Sequence, residues 1–292
     1  MKNYSPKILL TGGSGQLAQA IFSHNNAANF HLKMCSRDEL DITNMASISR
    51  AIQDFSPEII INCAAYTAVD QAENSRGDAE KINHLGAKNL AISCKKNQIF
   101  LLHLSTDYVF NGLKLSPYIE DDLAQPINIY GESKLAGENA IREYGENYVI
   151  LRVSGVVSEF GHNFLKTMLK LAREREKLRI VNDQITCPTA ADDIAGALFE
   201  IARTQSHIGI YHYCSTPPVS WHDFAVAIIN EARKYEPLRV QNIQAITTSD
   251  YPTPAKRPLH SVLDCAKIRL DFNIAQPSWE LAIQRILKRI YT

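Results

Sequence analysis

Three observations predict a doubly wound α/β fold on a parallel sheet, with a smaller domain formed by C-terminal segments. Strand-like and helix-like stretches alternate through the first half of the chain. Two of the strand-like runs, Glu58–Ala64 and Ile99–Ser105, are apolar almost throughout, as in strands buried on both faces of a parallel sheet. A glycine-rich turn lies at the first junction between a strand and a helix.

Taken in order, Lys7–Thr11 reads as a strand and Gln16–Asn25 as a helix. His31–Cys35 is a second strand, and Ala46–Phe55 carries apolar residues at helical spacing. The isoleucine-rich run EIIINCA (58–64) is the third strand. Asp78–Asn97 reads as one long helix, Ile99–Ser105 as a strand, Tyr130–Tyr144 as a helix and Tyr148–Val153 as a strand. Alternation of this kind implies right-handed crossovers. The pattern loosens after about residue 155. Phe164–Glu176 and Ala191–Arg203 read as helices, Arg179–Val181 and Gly209–Cys214 as strands. Ser220 is placed to cap a helix running to Lys234. A proline-rich loop follows at 251–258, and the last helix begins near Trp279. The expected division is a first domain of residues 1–155, with returning segments near 185–215, and a smaller domain of residues 156–292 interleaved with it.

Composition narrows the function. The chain has 292 residues, and its 31 Lys and Arg balance 31 Asp and Glu. A nucleic-acid binder usually carries a basic excess, so no nucleic-acid partner is expected. No apolar run approaches the roughly 18 residues of a membrane span. The polar start, Met1 to Pro6, has no signal-peptide pattern. The six cysteines are scattered without a C-x-x-C pair, and no H-E-x-x-H occurs among the nine histidines. These features predict reduced, mostly buried thiols in a cytoplasmic protein without a metal motif.

The first turn is Thr11-Gly12-Gly13-Ser14-Gly15-Gln16-Leu17-Ala18. Gly12 allows a sharp exit from the strand, Gly15 leaves room for a diphosphate against the backbone, and Ala18 lets the helix pack close to the sheet. The helix start offers free N–H groups and a partial positive charge. An ordinary glycine turn would read the same in isolation; its place after the first strand points to a Rossmann-type dinucleotide site. The second strand ends in Ser36-Arg37 rather than in an acidic residue, which favours the 2′-phosphate of NADPH over NADH, though NADH remains possible. A solvated surface arginine is the alternative reading of Arg37.

Tyr130 and Lys134 form a Y-x-x-x-K pair on one helical face. An ammonium beside a phenol stabilises the phenolate and draws its pKa toward the working range. The buried strand before them ends in Ser105-Thr106-Asp107, and the Thr106 hydroxyl can bond a substrate carbonyl.

Together these elements resemble the extended short-chain dehydrogenase/reductase family over nearly the whole chain. The segments that carry the resemblance are NCAAYTAVD (62–70), STDYVFNG (105–112), YGESKLAGE (130–138), VNDQ (181–184) with Pro188-Thr189, and YPTPAKRP (251–258). The C-terminal two resemble the subgroup that reduces dTDP-linked 4-keto-6-deoxy sugars to dTDP-L-rhamnose. The resemblance implies that Gly15, Gln16 and Leu17 lie along the cofactor diphosphate, Asp41 and Ile42 flank the adenine, and Ala64, Ala65 and Thr67 line the cofactor channel. It implies that Tyr130 is the general acid, that Lys134 holds the nicotinamide ribose, and that Thr106 and Asp107 contact the substrate. Related dehydratases carry Glu where this chain has Tyr108, so keto reduction is favoured over dehydration. Arg257 is placed either on a substrate phosphate or in a plain surface role.

Two departures stand out. The family's R-T-S-W segment is Arg152-Val153-Ser154-Gly155 here, which would open space beside the sugar and put the accepted sugar in doubt. Ala20 stands where some members place a metal-binding carboxylate at a dimer interface, so no metal is carried across, and monomer and homodimer stay open. Two other readings remain: a non-catalytic cofactor-binding subunit similar to the methionine adenosyltransferase β subunit, and a redox sensor. Trp221 and Trp279 read as packing residues, and Asn83 either as a residue that fixes a water near Lys134 or as part of a solvated helical face.

Overall fold

The computed structural model describes residues 5–292, so the polar start at 1–4 lies outside the described residues. The first half contains β1 (Lys7–Thr11), α1 (Gln16–Ser23), β2 (His31–Met34), α2 (Met45–Phe55), β3 (Ile59–Asn62), α3 (Val69–Ala72), α4 (Arg76–Ala79), α5 (Ala87–Asn97), β4 (Phe100–Thr106), α6 (Ile129–Tyr144) and β5 (Tyr148–Val153). The second contains α7 (Phe164–Glu174), β6 (Lys177–Val181), β7 (Ile185–Thr186), α8 (Ala191–Thr204), β8 (Gly209–Tyr213), β9 (Val219–Ser220), α9 (Trp221–Ala232), β10 (Asn242–Ile246), α10 (Ala266–Phe272) and α11 (Trp279–Tyr291).

Six strands form one sheet in the order β2-β1-β3-β4-β5-β8, and every neighbouring pair is parallel. The expected α/β architecture is therefore present. After β2 the chain crosses to the other side of β1, and the crevice beyond the carboxyl ends at such a reversal is where open α/β sheets hold ligands. The isoleucine run is explained by position: Ile59, Ile60 and Ile61 lie in mid-sheet and are fully buried. Leu10, Ile61 and Leu102 meet α1 and α8 on one face, while Leu9, Ile60 and Leu101 meet α2 and α5 on the other. A third apolar cluster, centred on Phe224, Leu165, Ile228 and Ile283, joins α7, α9, α11 and β6 away from the sheet.

The stretch 78–97 is not one α-helix. Residues Glu80–Gly86 form a π-helical segment between α4 and α5. The wider turn carries Asn83 inward, where its amide bonds both backbone groups of Tyr66 and the Ser133 hydroxyl of α6. It also brings the Asn83 carbonyl against α6, where a Cβ on Gly137 would lie 2.2 Å away. Both amide hydrogens of Asn83 are thus committed, and its burial excludes the reading as a solvated helical face. Such single π turns are often kept at functional sites. The first helix stops at Ser23, and a 3₁₀ turn over Asn25–Asn29 replaces its expected end. Ser220 caps α9 as expected, accepting from the Asp223 N–H. β10 and α10 escape prediction because β10 is largely exposed and polar and α10 has only seven residues. All six cysteines are free, with five buried and Cys63 half-buried. Among the described residues no helix is long and apolar enough to cross a membrane.

Candidate active site

A cleft of about 1250 Å³ opens above the carboxyl ends of β1, β3, β4 and β5. It exceeds the roughly 300–1,000 Å³ that accommodates one small ligand. Every residue expected to touch cofactor or substrate lines it: Gly12, Gly15, Gln16 and Leu17, then Arg37, Asp41 and Ile42, then Ala64, Ala65 and Thr67, and finally Thr106, Asp107, Tyr130, Lys134, Gly155 and Arg257.

At one end β1 turns into α1. Gly12 has φ +68°, and a Cβ there would meet the Ala64 nitrogen at 2.7 Å, so only glycine lets β1 pass so close to β3. Gly15 is the N-cap of α1 and offers no side-chain cap, which leaves the first-turn N–H groups facing the cleft. Gln16 spans the opening: its amide donates to the Val156 carbonyl and accepts from Ser158 and Asn163. Beyond the turn, Asp41 accepts from the backbone and hydroxyl of Thr43 at 2.9 and 2.8 Å. Burial works to raise its carboxyl, but these bonds and the neighbouring Arg37 leave it below the usual range.

At the centre, Tyr130 stands edge-on to Tyr108 with ring centroids 5.9 Å apart. The helix that carries it is capped by Asn128, whose side chain accepts from the Gly131 N–H and donates to the Lys256 carbonyl. That bond ties the 251–258 loop to the start of α6. Asp107 is buried, and its carboxylate accepts from Thr106 at 3.0 Å and from Ser154 at 2.8 Å. Burial raises this carboxyl, against hydroxyl bonds from Ser261, Ser154 and Thr106. Arg257 reaches the cleft already paired with Asp70 at 2.7 Å.

One electrostatic expectation fails. Burial drives the Tyr130 phenol well above its ordinary range; the Thr106 hydroxyl opposes this, and Asp107 and Tyr108 add to it. Lys134 makes no hydrogen bond to the phenol. Its Nζ donates instead to the Leu104 carbonyl at 2.6 Å, and burial pulls the amine down to about 8.

Gly155 also corrects an expectation. It has φ +50°, a region that disfavours side chains, and a Cβ there would lie 3.1 Å from Pro188 Cα and 3.3 Å from Trp221 Cη2. The space beside Gly155 is therefore partly occupied by Trp221, which lines the cleft as well as packing on Phe164 at 4.6 Å. Sequence reasoning placed Trp221 in packing alone. It also assigned no role to Asp70, Ser154 and Ser261, whose roles depend on contacts across the fold; the local signals were the places of Asp70 at the end of NCAAYTAVD and of Ser154 within the R-V-S-G segment.

The family model described as "RmlD substrate binding domain" matches residues 6–292. A dTDP-4-dehydrorhamnose reductase of Aggregatibacter actinomycetemcomitans is 42% identical over 287 residues, spanning 96% of this chain and 98% of that protein. One from Escherichia coli K12 is 37% identical, covering 98% of each chain. The crystal structure of the Bacillus anthracis dTDP-4-dehydrorhamnose reductase in complex with NADP superposes with a TM-score of 0.92 at 36% identity, covering 98% of this chain and all of that one. With its Rossmann-type sheet, its glycine turn and its Tyr130–Lys134 pair in one cleft, the chain belongs to the RmlD substrate binding family, that of the dTDP-4-dehydrorhamnose reductases.

Proposed function

We infer that this protein is an NADPH-dependent dTDP-4-dehydrorhamnose reductase, which reduces the C4 keto group of a dTDP-linked 6-deoxy sugar to give dTDP-L-rhamnose. The observation that carries the reading is the convergence of the dinucleotide turn and the Tyr130, Lys134 and Thr106 set on one cleft large enough for two ligands. The reading as a non-catalytic subunit is not favoured, given relatives named as reductases over nearly the full chain.

The cradle fits the cofactor: Gly12 and Gly15 keep the turn free of side chains, and the start of α1 faces the cleft with unpaired N–H groups. Gly15, Gln16 and Leu17 would hold the diphosphate, Asp41 and Ile42 the adenine, Ala64, Ala65 and Thr67 the nicotinamide half, and Lys134 its ribose. When bound, NADPH supplies the hydride. Tyr130 donates its phenolic proton to O4 of the sugar, and its raised pKa keeps that proton in place until charge develops on the oxygen. The Thr106 hydroxyl, which donates to Asp107 here, would turn from that carboxylate to donate to the same oxygen, while Ser154 keeps Asp107 in place. Arg257, fixed by Asp70, faces the substrate diphosphate. The separate apolar cluster around Phe224 supports a smaller substrate-binding lobe within residues 156–292.

Incubation with NADPH and dTDP-4-dehydrorhamnose is expected to consume the reduced nicotinamide; tight NADPH binding without turnover would instead support the binding-subunit reading. Arg37 supplies a second prediction. If it pairs the 2′-phosphate, Arg37→Ala removes a charge-assisted bond worth about 1.5–3 kcal/mol, a ten- to hundredfold loss in kcat/KM for NADPH with little change for NADH. Equal wild-type kcat/KM for the two cofactors would refute the preference.

A further inference from the structure

Behind the cleft a line of buried polar side chains runs across three adjacent strands to Lys134. Thr11 of β1 pairs in register with Asn62 of β3, and Asn62 with His103 of β4. None is more than 1% exposed, and none has a role in the reading above. The Thr11 hydroxyl donates to Asn62 Oδ1 at 2.5 Å, and the Ala64 N–H donates to the same oxygen at 3.2 Å. Two donors on one oxygen fix the amide orientation. Asn62 Nδ2 therefore faces His103 Nδ1 at 2.9 Å and donates to it.

The consequence is a tautomer. With Nδ1 accepting, a neutral imidazole carries its hydrogen on Nε2. The ring is neutral because burial, and then the Lys134 charge, hold it well below the usual histidine range. Its Nε2 lies 3.4 Å from Lys134 Nζ. A neutral amine has a lone pair to accept that hydrogen, whereas an ammonium has none. The other partner of Nζ, the Leu104 carbonyl, accepts from either form.

We propose that His103 is a positioning residue for Lys134: it turns its Nε2–H toward the amine and disfavours the ammonium against β4, so that a ligand in the cleft readily draws Lys134 out. The proposal rests on the reductase reading only for its purpose, since the hydrogen-bond directions exist without ligand. The charged and titratable groups facing Lys134 are few. Glu138 on α6 and Cys63 after β3 favour the charged form and burial outweighs both, while His103 on β4 lies in contact with the amine. Glu138 is itself paired with Arg152.

The test is a pH titration of the Lys134 side chain by NMR on the ligand-free full chain with isotopically labelled lysine, assigned by Lys134→Arg. The midpoint is expected at or below about 8 in the wild type. Asn62→Asp replaces the donor to Nδ1 with an acceptor, which reverses the tautomer and turns Nε2 into an acceptor. His103→Gln lets an amide oxygen rotate toward Nζ without adding charge. Both are expected to raise the midpoint by about one unit or more, and the upper limb of the kcat/KM pH profile should move with it. A wild-type midpoint near the ordinary lysine value of about 10.4 overturns the proposal. So does a shift in Asn62→Asp alone, which added charge would explain. Absence of reductase turnover would count against the functional reading and leave the titration result standing.

Discussion

Replacing Tyr130 by Phe is expected to lower kcat/KM for the 4-keto sugar nucleotide by about 10²–10⁴-fold, the usual contribution of a positioned general acid. Affinity for NADPH should change little. The substitution removes one hydroxyl and keeps the ring, so the edge-on contact with Tyr108 at 5.9 Å persists. α6 is anchored independently, through the Asn128 cap and the Asn83–Ser133 bond. What is lost is the proton donor. The developing alkoxide at O4 would then have only the Thr106 hydroxyl. Stopped-flow loss of reduced nicotinamide absorbance, with NADPH affinity measured separately, checks both halves. Turnover that survives Tyr130→Phe unchanged would remove Tyr130 from the mechanism. Because burial holds the phenol above its ordinary range, the wild-type kcat/KM profile should show no Tyr130 ionisation in the free enzyme around neutral pH.

That prediction rests on features legible in the sequence because they are local. A glycine at the exit of a strand and a Tyr–Lys pair at i, i+4 need only the backbone path of one element to acquire meaning. The apolar strands were legible for a related reason: residues buried on both faces, such as Ile59 to Ile61, leave no polar alternation. What escaped depends on neighbours far apart in sequence. The surroundings of Lys134, with the Leu104 carbonyl and His103 on β4 and Asn62 behind them on β3, come together only through the sheet. The filling of space at Gly155 is decided by Trp221, 66 residues later by the numbering of the two positions. The π turn at Glu80–Gly86 is hidden because one extra residue barely disturbs an apolar pattern in a long amphipathic stretch, yet it turns Asn83 toward α6.

The largest stability effect is expected at Arg152. It is 3% exposed and grips Glu138, which is 1% exposed, with Nε and Nη2 bonds of 3.0 and 2.6 Å. Its Nη1 faces His212 Nε2 at 3.3 Å, and its guanidinium lies over the Phe110 ring at 5.1 Å. His212 donates from Nδ1 to the Tyr118 carbonyl, and burial, then Arg152, pull it down to about 3, so it remains a neutral acceptor. Arg152→Met preserves much of the stem's volume but strands the Glu138 carboxylate, for which breaking a buried pair costs about 3–5 kcal/mol. Glu138→Leu combined with Arg152→Met removes both charges, and the double variant should recover much of that loss in urea denaturation, since a well-packed apolar pair is often no worse than a buried ion pair. Recovery will fall short by about 1–3 kcal/mol, because the Ser105 hydroxyl, which donates to Glu138 at 2.5 Å, is left buried without an acceptor. Activity is expected to separate from stability here. Ser105 precedes Thr106 and Glu138 lies one turn beyond Lys134, so a double variant that regains its fold while staying slow would place this pair behind the catalytic groups as their support. Equal destabilisation of the single and double variants would mean that packing on Phe110, and not the stranded charge, is what Arg152 contributes.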